Sequence, residues 1–335
     1  MIIPLDLKEK SYNIYLERKG LEKASEYFNL DRKVLIVTDS GVPEKYAKTV
    51  ANQCKDGIIC TIPQGEQSKS LELFSYLLGE MCKANFTRSD CVVAVGGGVV
   101  GDLAGFVAAS YMRGVDFYNI PTTVLSQVDS SIGGKVAIDF KGYKNIVGAF
   151  HQPKGVIIDP ETLKTLPERQ ISNGLAEAVK MALTSDKELF EIFENQNIEE
   201  NIDVIIEKSL RIKKSVVEQD EKEMGLRKIL NFGHTLGHAI ESKCKFEELY
   251  HGECVALGMI PMCSQDIKPR LINVLKKLNL PIDYKYDMEE ILKPMKHDKK
   301  MNGDKITIVS VKEIGKFTME TIEFSEFIEK MKGEK

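Results

Sequence analysis

The stretch CVVAVGGGVVGD, from Cys91 to Asp102, carries the pattern on which the fold prediction rests. Its first five residues are apolar and mostly β-branched, which is typical of a strand buried on both faces of a parallel sheet. Three glycines follow, and then an apolar segment that predicts a helix. Glycine lets backbone amides approach a ligand closely, and a helix N-terminus favours negative charge. The stretch therefore predicts a strand–turn–helix unit that holds a pyrophosphate. A tight strand-to-helix turn is the simpler alternative explanation of the glycines.

The sequence on either side predicts two domains. Up to about residue 160, strands are predicted at 13–16, 33–38, 57–61, 91–95, 117–120 and 155–158, and helices at 43–54 and 71–83, the second with Ser68 as its N-cap. Helical spacing then dominates, at 162–184, 187–195, 202–219, 230–243, 253–265 and 269–278, before a hairpin at 305–311 and 316–322. We therefore expect an α/β N-terminal Rossmann-like domain at 1–160 and a mostly α-helical C-terminal domain at 161–335.

Composition excludes several classes of protein. A formal net charge of −4 does not fit the basic face of a nucleic-acid-binding domain. The N-terminus MIIPLDLKEK lacks the features of a signal peptide. The most apolar stretch, 91–112, contains Asp102, and a charge near the middle of a bilayer is costly, so no membrane span is expected. The seven cysteines form no CxxC pair, which predicts free thiols and a cytoplasmic location.

The most specific chemical signal is the segment NFGHTLGHA, which begins at Asn231. His234 and His238 are four residues apart, so they share one face of a helix. His251 follows in the segment HGE. Two histidines and a carboxylate can hold Zn²⁺ and leave a position open for a substrate oxygen, and carboxylates are present both in HGE and upstream in the segment LAEAVK. Spacing alone leaves open which two of the three histidines are ligands, and a pair of surface histidines is the alternative.

Other charged residues lie beside glycines or turn signals. Arg113, Lys135 and Lys144 are placed where loops present side chains, and three cations there could clamp a phosphate or carboxylate. Scattered lysines are more often simply solvated. Asp39 ends an apolar strand, where a carboxylate could bind a ribose hydroxyl, although an ordinary βα turn explains it equally well.

Taken together, these segments resemble the 3-dehydroquinate synthases of the sugar-phosphate cyclase family. The motifs that carry the resemblance, in chain order, are GGGVVGD, YMRG, PTTVLSQVDSSIGGK, KNxxGAFHQP, GLAEAVK, GLRxxLNFGHTLGHA and HGE. The match runs from about Asp39 to Lys300 and covers most of the chain. It implies a tightly held NAD that is regenerated in each turnover, a divalent metal (Zn²⁺ or Co²⁺), and a homodimer.

The resemblance also implies a role for each matching position. The metal ligands would be Glu177, His234 and His251. The catalytic residues would be Asp129, Lys135, Lys180, Lys213, Arg227, Asn231 and His238. Substrate-binding residues would be Arg113, Lys144, Asn145, Lys299 and Lys300. Cofactor contacts would come from Asp39, Glu66, Lys69, Gly97, Gly98, Asp102, Thr122 and Thr123, with Lys135 and Lys144 contributing.

The reaction implied is the conversion of 3-deoxy-D-arabino-heptulosonate 7-phosphate to 3-dehydroquinate and phosphate, in the shikimate pathway. A ring hydroxyl is oxidised by NAD⁺, phosphate is eliminated, the ketone is reduced again, and the opened ring closes by an intramolecular aldol step. The leaving phosphate can remove the proton itself, so no strong protein base is expected. The alternatives are a sister cyclase for another sugar phosphate and an NAD-dependent metal dehydrogenase of the glycerol type. The dehydrogenases do not share the SSIGGK and KNxxGAFHQP segments.

Overall fold

The computed structural model describes residues 1–244, 248–284, 301–302 and 305–332, and it divides into two compact units. Unit 1 comprises Met1–Pro167 and Lys213–Glu221, and unit 2 comprises Glu168–Ile212 and Lys222–Lys335. The sequence predicted one continuous N-terminal domain that ends at residue 160. In the structure, the later segment Lys213–Glu221 also groups with unit 1.

Unit 1 is built on a parallel sheet. Its strands are β1 (Ile2–Leu5), β2 (Tyr12–Leu16), β3 (Lys33–Asp39), β4 (Asp56–Ile62), β5 (Cys91–Gly96), β6 (Asp116–Pro121), β7 (Lys135–Phe140), β8 (Tyr143–Phe150) and β9 (Gly155–Ile158). Seven of them form one sheet in the order β1-β2-β9-β6-β5-β3-β4, parallel except for the β1–β2 pair. Strands β7 and β8 pair with each other as a separate antiparallel hairpin.

Helices cover both faces of this sheet. They are α1 (Ala24–Tyr27), α2 (Glu44–Ala51), α3 (Leu71–Lys83) and α4 (Gly98–Ser110). Val34 and Val93 pack on the α2 face, whereas Leu35 and Val92 pack on the face that α3 and α4 cover. Because both faces are buried, the strands need continuous apolar runs rather than alternation, as the sequence predicted. The doubly wound α/β fold is confirmed.

The strand order fixes where a ligand can bind. Strand β3 connects through α2 to β4 on one side of it, and β5 connects through α4 to β6 on the other side. The sheet therefore has a topological switch point between β3 and β5, and open α/β sheets bind ligands outside the carboxyl ends of such strands.

One local prediction for unit 1 was wrong, and one element of unit 1 was not predicted. Ser70 caps helix α3, because its Oγ accepts a hydrogen bond from Leu73 N at 3.2 Å. Ser68 instead donates to the carbonyl oxygen of Pro63 at 2.6 Å, within a 3₁₀ turn that precedes the helix. The β7–β8 hairpin was not predicted, because glycines and a bulge near Asp139 interrupt its alternation.

Unit 2 is mostly helical, as predicted. Its helices are α5 (Glu168–Ser185), α6 (Lys187–Asn195), α7 (Ile202–Gln219), α8 (His234–Lys243), α9 (His251–Met259), α10 (Lys268–Lys277) and α11 (Phe324–Lys332), and the last was not predicted. The C-terminal part of α7, from Lys213, belongs to unit 1. An antiparallel sheet contains β10 (Met301–Asn302), β11 (Lys305–Glu313) and β12 (Lys316–Glu323).

Two further expectations can be compared with the structure. All seven cysteines are free thiols, as predicted. Among the described residues, no helix combines the length and apolar character that crossing a bilayer would need.

Candidate active site

Three helices of unit 2 bring together a carboxylate and three histidines. Glu177 lies in the middle of α5, His234 begins α8, and His251 begins α9. Glu177 Oε1 is 3.5 Å from His234 Nε2 and 3.3 Å from His251 Nε2. One ring nitrogen from each of His234, His238 and His251 lies within 4.8 Å of the others. This separation suits a single metal ion held between them.

The opposite ring nitrogens are held by acceptors. His234 Nδ1 is 3.1 Å from the carbonyl oxygen of Phe232, and His251 Nδ1 is 3.3 Å from Glu241 Oε2. A proton on each Nδ1 satisfies these contacts and leaves each Nε2 directed at Glu177. Metal-binding histidines in proteins are oriented by such outer contacts.

Glu177 provides the test of whether a metal fits. Its side chain is fully buried, and neither carboxylate oxygen accepts a hydrogen bond of normal geometry from the described residues. Burial raises the pKa of Glu177, but Lys180, with which it forms an ion pair, and His251 lower it to about 2. A buried, ionised carboxylate whose oxygens accept no hydrogen bond of normal geometry within the described part of the chain is a suitable ligand for a divalent cation.

The electrostatics of His251 agree with a cation site. Burial lowers the pKa of His251, but Glu177 and Glu241 raise it to about 10. The two carboxylates thus stabilise a positive charge on or beside this ring. A metal ion binding through Nε2 would take over that role from the proton.

Close helix packing sets these distances. A Cβ on Gly258 would lie 1.9 Å from the carbonyl oxygen of Gly233, so α9 approaches the start of α8 at backbone contact. A Cβ on Gly252 would lie 1.9 Å from the carbonyl oxygen of Asn173 in α5, and the backbone N–H of Gly252 donates to Asn173 Oδ1 at 2.6 Å. His251, the neighbour of Gly252, is therefore fixed against α5, which carries Glu177.

Other predicted residues of unit 2 lie close by in the chain. Lys180 is one turn after Glu177 and is 1% exposed. Arg227, also buried, and Asn231 lie in a 3₁₀ segment, Leu226–Asn231, which precedes α8. Asn231 Nδ2 donates to Glu223 Oε1 at 2.7 Å. Sequence reasoning did not select Glu223, although it lies in the same polar segment.

In unit 1, the predicted glycine turn joins β5 to α4 at the carboxyl edge of the sheet. Gly97 is the N-cap of α4, and Gly98 is its first residue. A Cβ on Gly97 would lie 3.0 Å from Thr123 Cγ2, and a Cβ on Gly98 would lie 3.1 Å from Ser130 Oγ. These glycines therefore serve packing as well as exposing the amides at the helix N-terminus.

The neighbouring strands end in polar residues at the same edge. Asp39 ends β3, is mostly buried, and accepts a hydrogen bond from Gly41 N at 2.8 Å. Burial raises the pKa of Asp39. Thr122 N donates to the carbonyl oxygen of Gly96 at 2.9 Å, and Thr123 Oγ1 accepts from Ser126 N at 3.2 Å. Several of the residues expected to contact a dinucleotide thus lie where neighbouring strands of the sheet end.

A charge network around the buried Lys69 joins two groups of predicted residues. Lys69 Nζ is 2.8 Å from Asp102 Oδ2 and 3.6 Å from Glu66 Oε1, and it also contacts Asn145 Oδ1. Lys144 Nζ is 3.4 Å from the same oxygen of Glu66. Burial lowers the pKa of Lys69, but Asp102 and Glu66 raise it above its usual value. Residues expected to bind cofactor thus contact residues expected to bind substrate.

The remaining predicted residues of unit 1 are more dispersed. Lys213 Nζ is 2.6 Å from Asp129 Oδ1. Lys135 begins β7 and is exposed. Arg113 and Met112 have positive φ angles of 71° and 47°, which costs of the order of 1–3 kcal/mol each. Lys299 and Lys300 lie outside the described residues.

Solved structures first define the class of protein. The chain superposes on a 2-epi-5-epi-valiolone synthase from Streptomyces hygroscopicus subsp. jinggangensis, solved with NAD⁺ and Zn²⁺, with a TM-score of 0.88, 25% identity and 98% of each chain covered. It matches a 2-deoxy-scyllo-inosose synthase, complexed with carbaglucose-6-phosphate, NAD⁺ and Co²⁺, with a TM-score of 0.87, 24% identity and 98% of each chain covered. The fold is that of the sugar-phosphate cyclases.

Sequence relatives narrow the class to one family. Residues 59–173 match the 3-dehydroquinate synthase N-terminal family, and residues 174–301 match the C-terminal one. The 3-dehydroquinate synthase of Thermoanaerobacter pseudethanolicus is 43% identical, with 98% of this chain and 99% of the relative covered. The chain belongs to the 3-dehydroquinate synthase family. It is accordingly an enzyme, a phosphate-eliminating lyase of aromatic biosynthesis.

Proposed function

We propose that this chain converts 3-deoxy-D-arabino-heptulosonate 7-phosphate to 3-dehydroquinate and phosphate with a metal held by Glu177, His234 and His251 and with NAD bound at the β3–β5 switch point. The observation that carries the metal assignment is the approach of two Nε2 atoms, at 3.5 and 3.3 Å, to one buried carboxylate oxygen. Both structurally similar cyclases described above were solved with NAD⁺ and a divalent metal.

The three proposed ligands form an open metal site. Two imidazole nitrogens and one carboxylate satisfy three positions of a tetrahedral ion and leave one for a substrate oxygen. His238, whose ring centroid is 5.2 Å from that of His234, is then available to face the substrate. When bound, Zn²⁺ or Co²⁺ would supply Lewis acidity toward a substrate hydroxyl, and NAD⁺ would supply a hydride acceptor.

Several of the proposed dinucleotide contacts lie where strands of the sheet end. The amides at the start of α4, after Gly97, are suited to bind a pyrophosphate. Asp39, at the end of β3, is suited to hold a ribose hydroxyl. The other proposed contacts are Glu66, Lys69, Gly98, Asp102, Thr122 and Thr123, with Lys135 and Lys144.

The proposed substrate contacts are mainly cationic, as an anionic substrate requires. Lys180, Lys213 and Arg227 are at most 4% exposed. Buried cations are costly unless carboxylates or a bound anion compensate them. These residues would hold and orient the phosphate and carboxylate of the substrate, while Asn145 and Asn231 would bind ring oxygens. Asp129, Lys135, His238, Arg113, Lys144, Lys299 and Lys300 complete the proposed set.

The test follows two signals in one cuvette: phosphate release from the heptulosonate phosphate and absorbance of NADH, with NAD⁺ and Zn²⁺ present. We expect phosphate release that requires the metal and leaves no net NADH, because the hydride returns to the substrate. Accumulating NADH would indicate the glycerol-type dehydrogenase instead. Release only from other sugar phosphates would indicate a sister cyclase.

A matched pair of variants tests the site. Glu177→Gln removes the charge at the proposed ligand, and we expect activity to fall by at least about 100-fold, at the upper end of losses seen even for outer contacts of metals. Glu194→Gln makes the same change in α6, where the carboxylate pairs with Arg270 at 2.6 Å. We expect the second variant to keep its activity. Equal activity in both variants would contradict the metal assignment.

We further propose that the protein is a cytoplasmic homodimer. The free cysteines suit a reducing compartment. The β7–β8 hairpin exposes Tyr143, Ile146 and Phe150, which are 66%, 40% and 43% accessible in the single chain. Exposed apolar side chains on an edge strand favour pairing with another copy. Sedimentation of Phe150→Glu should show a monomer where the unmodified chain shows a dimer, and an unchanged dimer would contradict this surface.

A further inference from the structure

We propose that Glu241 is a positioning residue that orients His251 toward the metal, an inference that rests on the proposed metal site. Glu241 Oε2 lies 3.3 Å from His251 Nδ1, and Glu177 Oε1 lies 3.3 Å from Nε2 of the same ring. The imidazole is therefore held between two carboxylates, one at each nitrogen. Glu241 would form the outer member of a carboxylate–histidine–metal arrangement.

The position of Glu241 along α8 places it on the face that the histidines occupy. His234, His238 and Glu241 follow one another at intervals of four and three residues, which align on one side of a helix. The side chain is 6% exposed, so its carboxylate has been removed from water. Burying a carboxylate is costly without specific partners, and His251 is one of them.

Helix stability does not account for a glutamate here. Helix α8 ends at Lys243, so Glu241 lies in its last turn. A negative charge is unfavourable at this end, because the helix dipole places partial negative charge on the terminal carbonyl groups. The carboxylate is therefore better explained by what it contacts than by the helix that carries it.

The two histidines are held in different ways. His234 Nδ1 contacts a neutral acceptor, the carbonyl oxygen of Phe232, at 3.1 Å. His251 Nδ1 contacts a carboxylate. A buried side-chain acceptor at this nitrogen fixes the ring orientation and so keeps Nε2 directed at the metal position. We therefore expect the affinity of the site to depend on Glu241 more than on a typical buried polar residue.

Three substitutions test this proposal by metal binding rather than by activity. Glu241→Ala removes the acceptor, Glu241→Asp keeps the charge but shortens the side chain, and Glu241→Gln keeps an acceptor oxygen at the same length. Metal-stripped protein is titrated with Zn²⁺ against a chelator of known affinity, and the visible spectrum of the Co²⁺-loaded protein reports ligand geometry. The unfolding midpoint of each metal-free variant is recorded in parallel.

We expect Glu241→Ala to weaken Zn²⁺ binding by about 10- to 100-fold. Glu241→Asp should also bind weakly and change the Co²⁺ spectrum, whereas Glu241→Gln should remain within about fivefold of the unmodified chain because it still accepts from Nδ1. Glu194→Gln is the control, and its metal affinity should not change. The order of Zn²⁺ affinities would then follow the position of the acceptor oxygen beside His251 Nδ1. A general loss of stability would not produce this order.

The outcomes are distinguishable. Wild-type affinity in both Glu241→Ala and Glu241→Asp would overturn the role of Glu241 and leave the metal site standing. Affinity losses that merely follow the loss in unfolding midpoint, in Glu194→Gln as well, would also overturn it. If Glu241→Ala does not fold, the Asp and Gln variants are compared with each other. Weaker Zn²⁺ binding in Glu241→Asp than in Glu241→Gln supports the proposal, and equal binding overturns it. A wild-type chain that binds neither Zn²⁺ nor Co²⁺ would overturn the proposed metal site itself.

Discussion

Glu177 and Lys180 form a buried ion pair, one turn apart on α5, in which both side chains are 1% exposed. Two charges in such a place are costly to desolvate, and removing one partner leaves the other uncompensated. In the metal-free protein, loss of either side chain should therefore lower the free energy of unfolding. A divalent ion beside Glu177 could compensate its charge when the lysine is absent.

We predict that Lys180→Met lowers the free energy of unfolding of the metal-free protein by about 3–5 kcal/mol, the usual cost of breaking a buried pair. Zn²⁺ should recover part of this loss, so the increase in melting temperature on adding Zn²⁺ should be larger in the variant than in the unmodified chain. Thermal unfolding with and without Zn²⁺ measures both. Equal increases would show that the ion does not bind beside Glu177.

His151 gives a pH prediction for unit 1. Its Nε2 is 3.0 Å from the carbonyl oxygen of Val115. Burial lowers the pKa of His151 from its ordinary 6.5, and the contact with Val115 raises it less. Above pH 6.5 the ring is neutral in both the folded and unfolded chain. As the pH falls below 6.5, the unfolded chain binds a proton that the folded chain resists, so stability is lost.

His151→Gln should therefore lose less stability between pH 7 and pH 5 than the unmodified chain, because glutamine keeps a donor for Val115 and does not titrate. Urea unfolding at several pH values gives the comparison. Parallel curves for the two proteins would show that His151 does not contribute to the acid sensitivity.

At the scale of elements, the approach of α8 and α9 decides the geometry of the proposed metal site, because each helix begins with a histidine. Gly258→Ala should push these helices apart, since the added Cβ would lie 1.9 Å from the carbonyl oxygen of Gly233. We predict a loss of roughly 1–3 kcal/mol in unfolding free energy, typical of overpacking, together with weaker Zn²⁺ binding. Chemical unfolding and chelator competition measure the two effects.

Gly79 in α3 provides the matched control. A Cβ there would meet nothing within 4 Å. Gly79→Ala should be neutral or more stable by up to about 1 kcal/mol, since alanine is the better helix former. If both glycine substitutions had the same effect, close packing of α8 and α9 would not be the cause.

At the scale of the whole molecule, the proposed metal ion and the proposed NAD are assigned to different units. The metal ligands belong to unit 2, and the glycine turn after β5 belongs to unit 1. A ligand that binds only the folded state stabilises it by about 2.7 kcal/mol at 100 times its Kd. Amide hydrogen exchange should therefore slow most in the segments that contact the bound metal ion or NAD.

We predict that Zn²⁺ slows amide exchange most in α5, α8 and α9, whereas NAD⁺ slows it most in the β5–α4 turn and the segment that follows β3. Mass spectrometry of peptides after exchange with each ligand separately gives the pattern. Protection by Zn²⁺ confined to unit 1, or by NAD⁺ confined to unit 2, would contradict the assignments.

The sequence by itself determined the parallel sheet and the composition of the candidate site. Apolar runs such as Cys91–Gly96 predict buried parallel strands, because both of their faces must avoid water. The fixed spacing of a helix put His234 and His238 on one face. Glu241 follows at the same spacing and could have been recognised from it. The β7–β8 hairpin escaped prediction because glycines and a bulge near Asp139 interrupt the alternation of its strands.

Only the tertiary structure decided which groups meet. Glu177, His234 and His251 come from three helices, and local periodicity cannot specify how separate helices approach each other. That approach depends on long-range packing, such as Gly258 against Gly233 and Gly252 against Asn173. Long-range packing also brings Glu241 to His251 and Asn145 to Lys69. Helical spacing thus fixes the face on which a residue lies, while packing fixes what that face contacts.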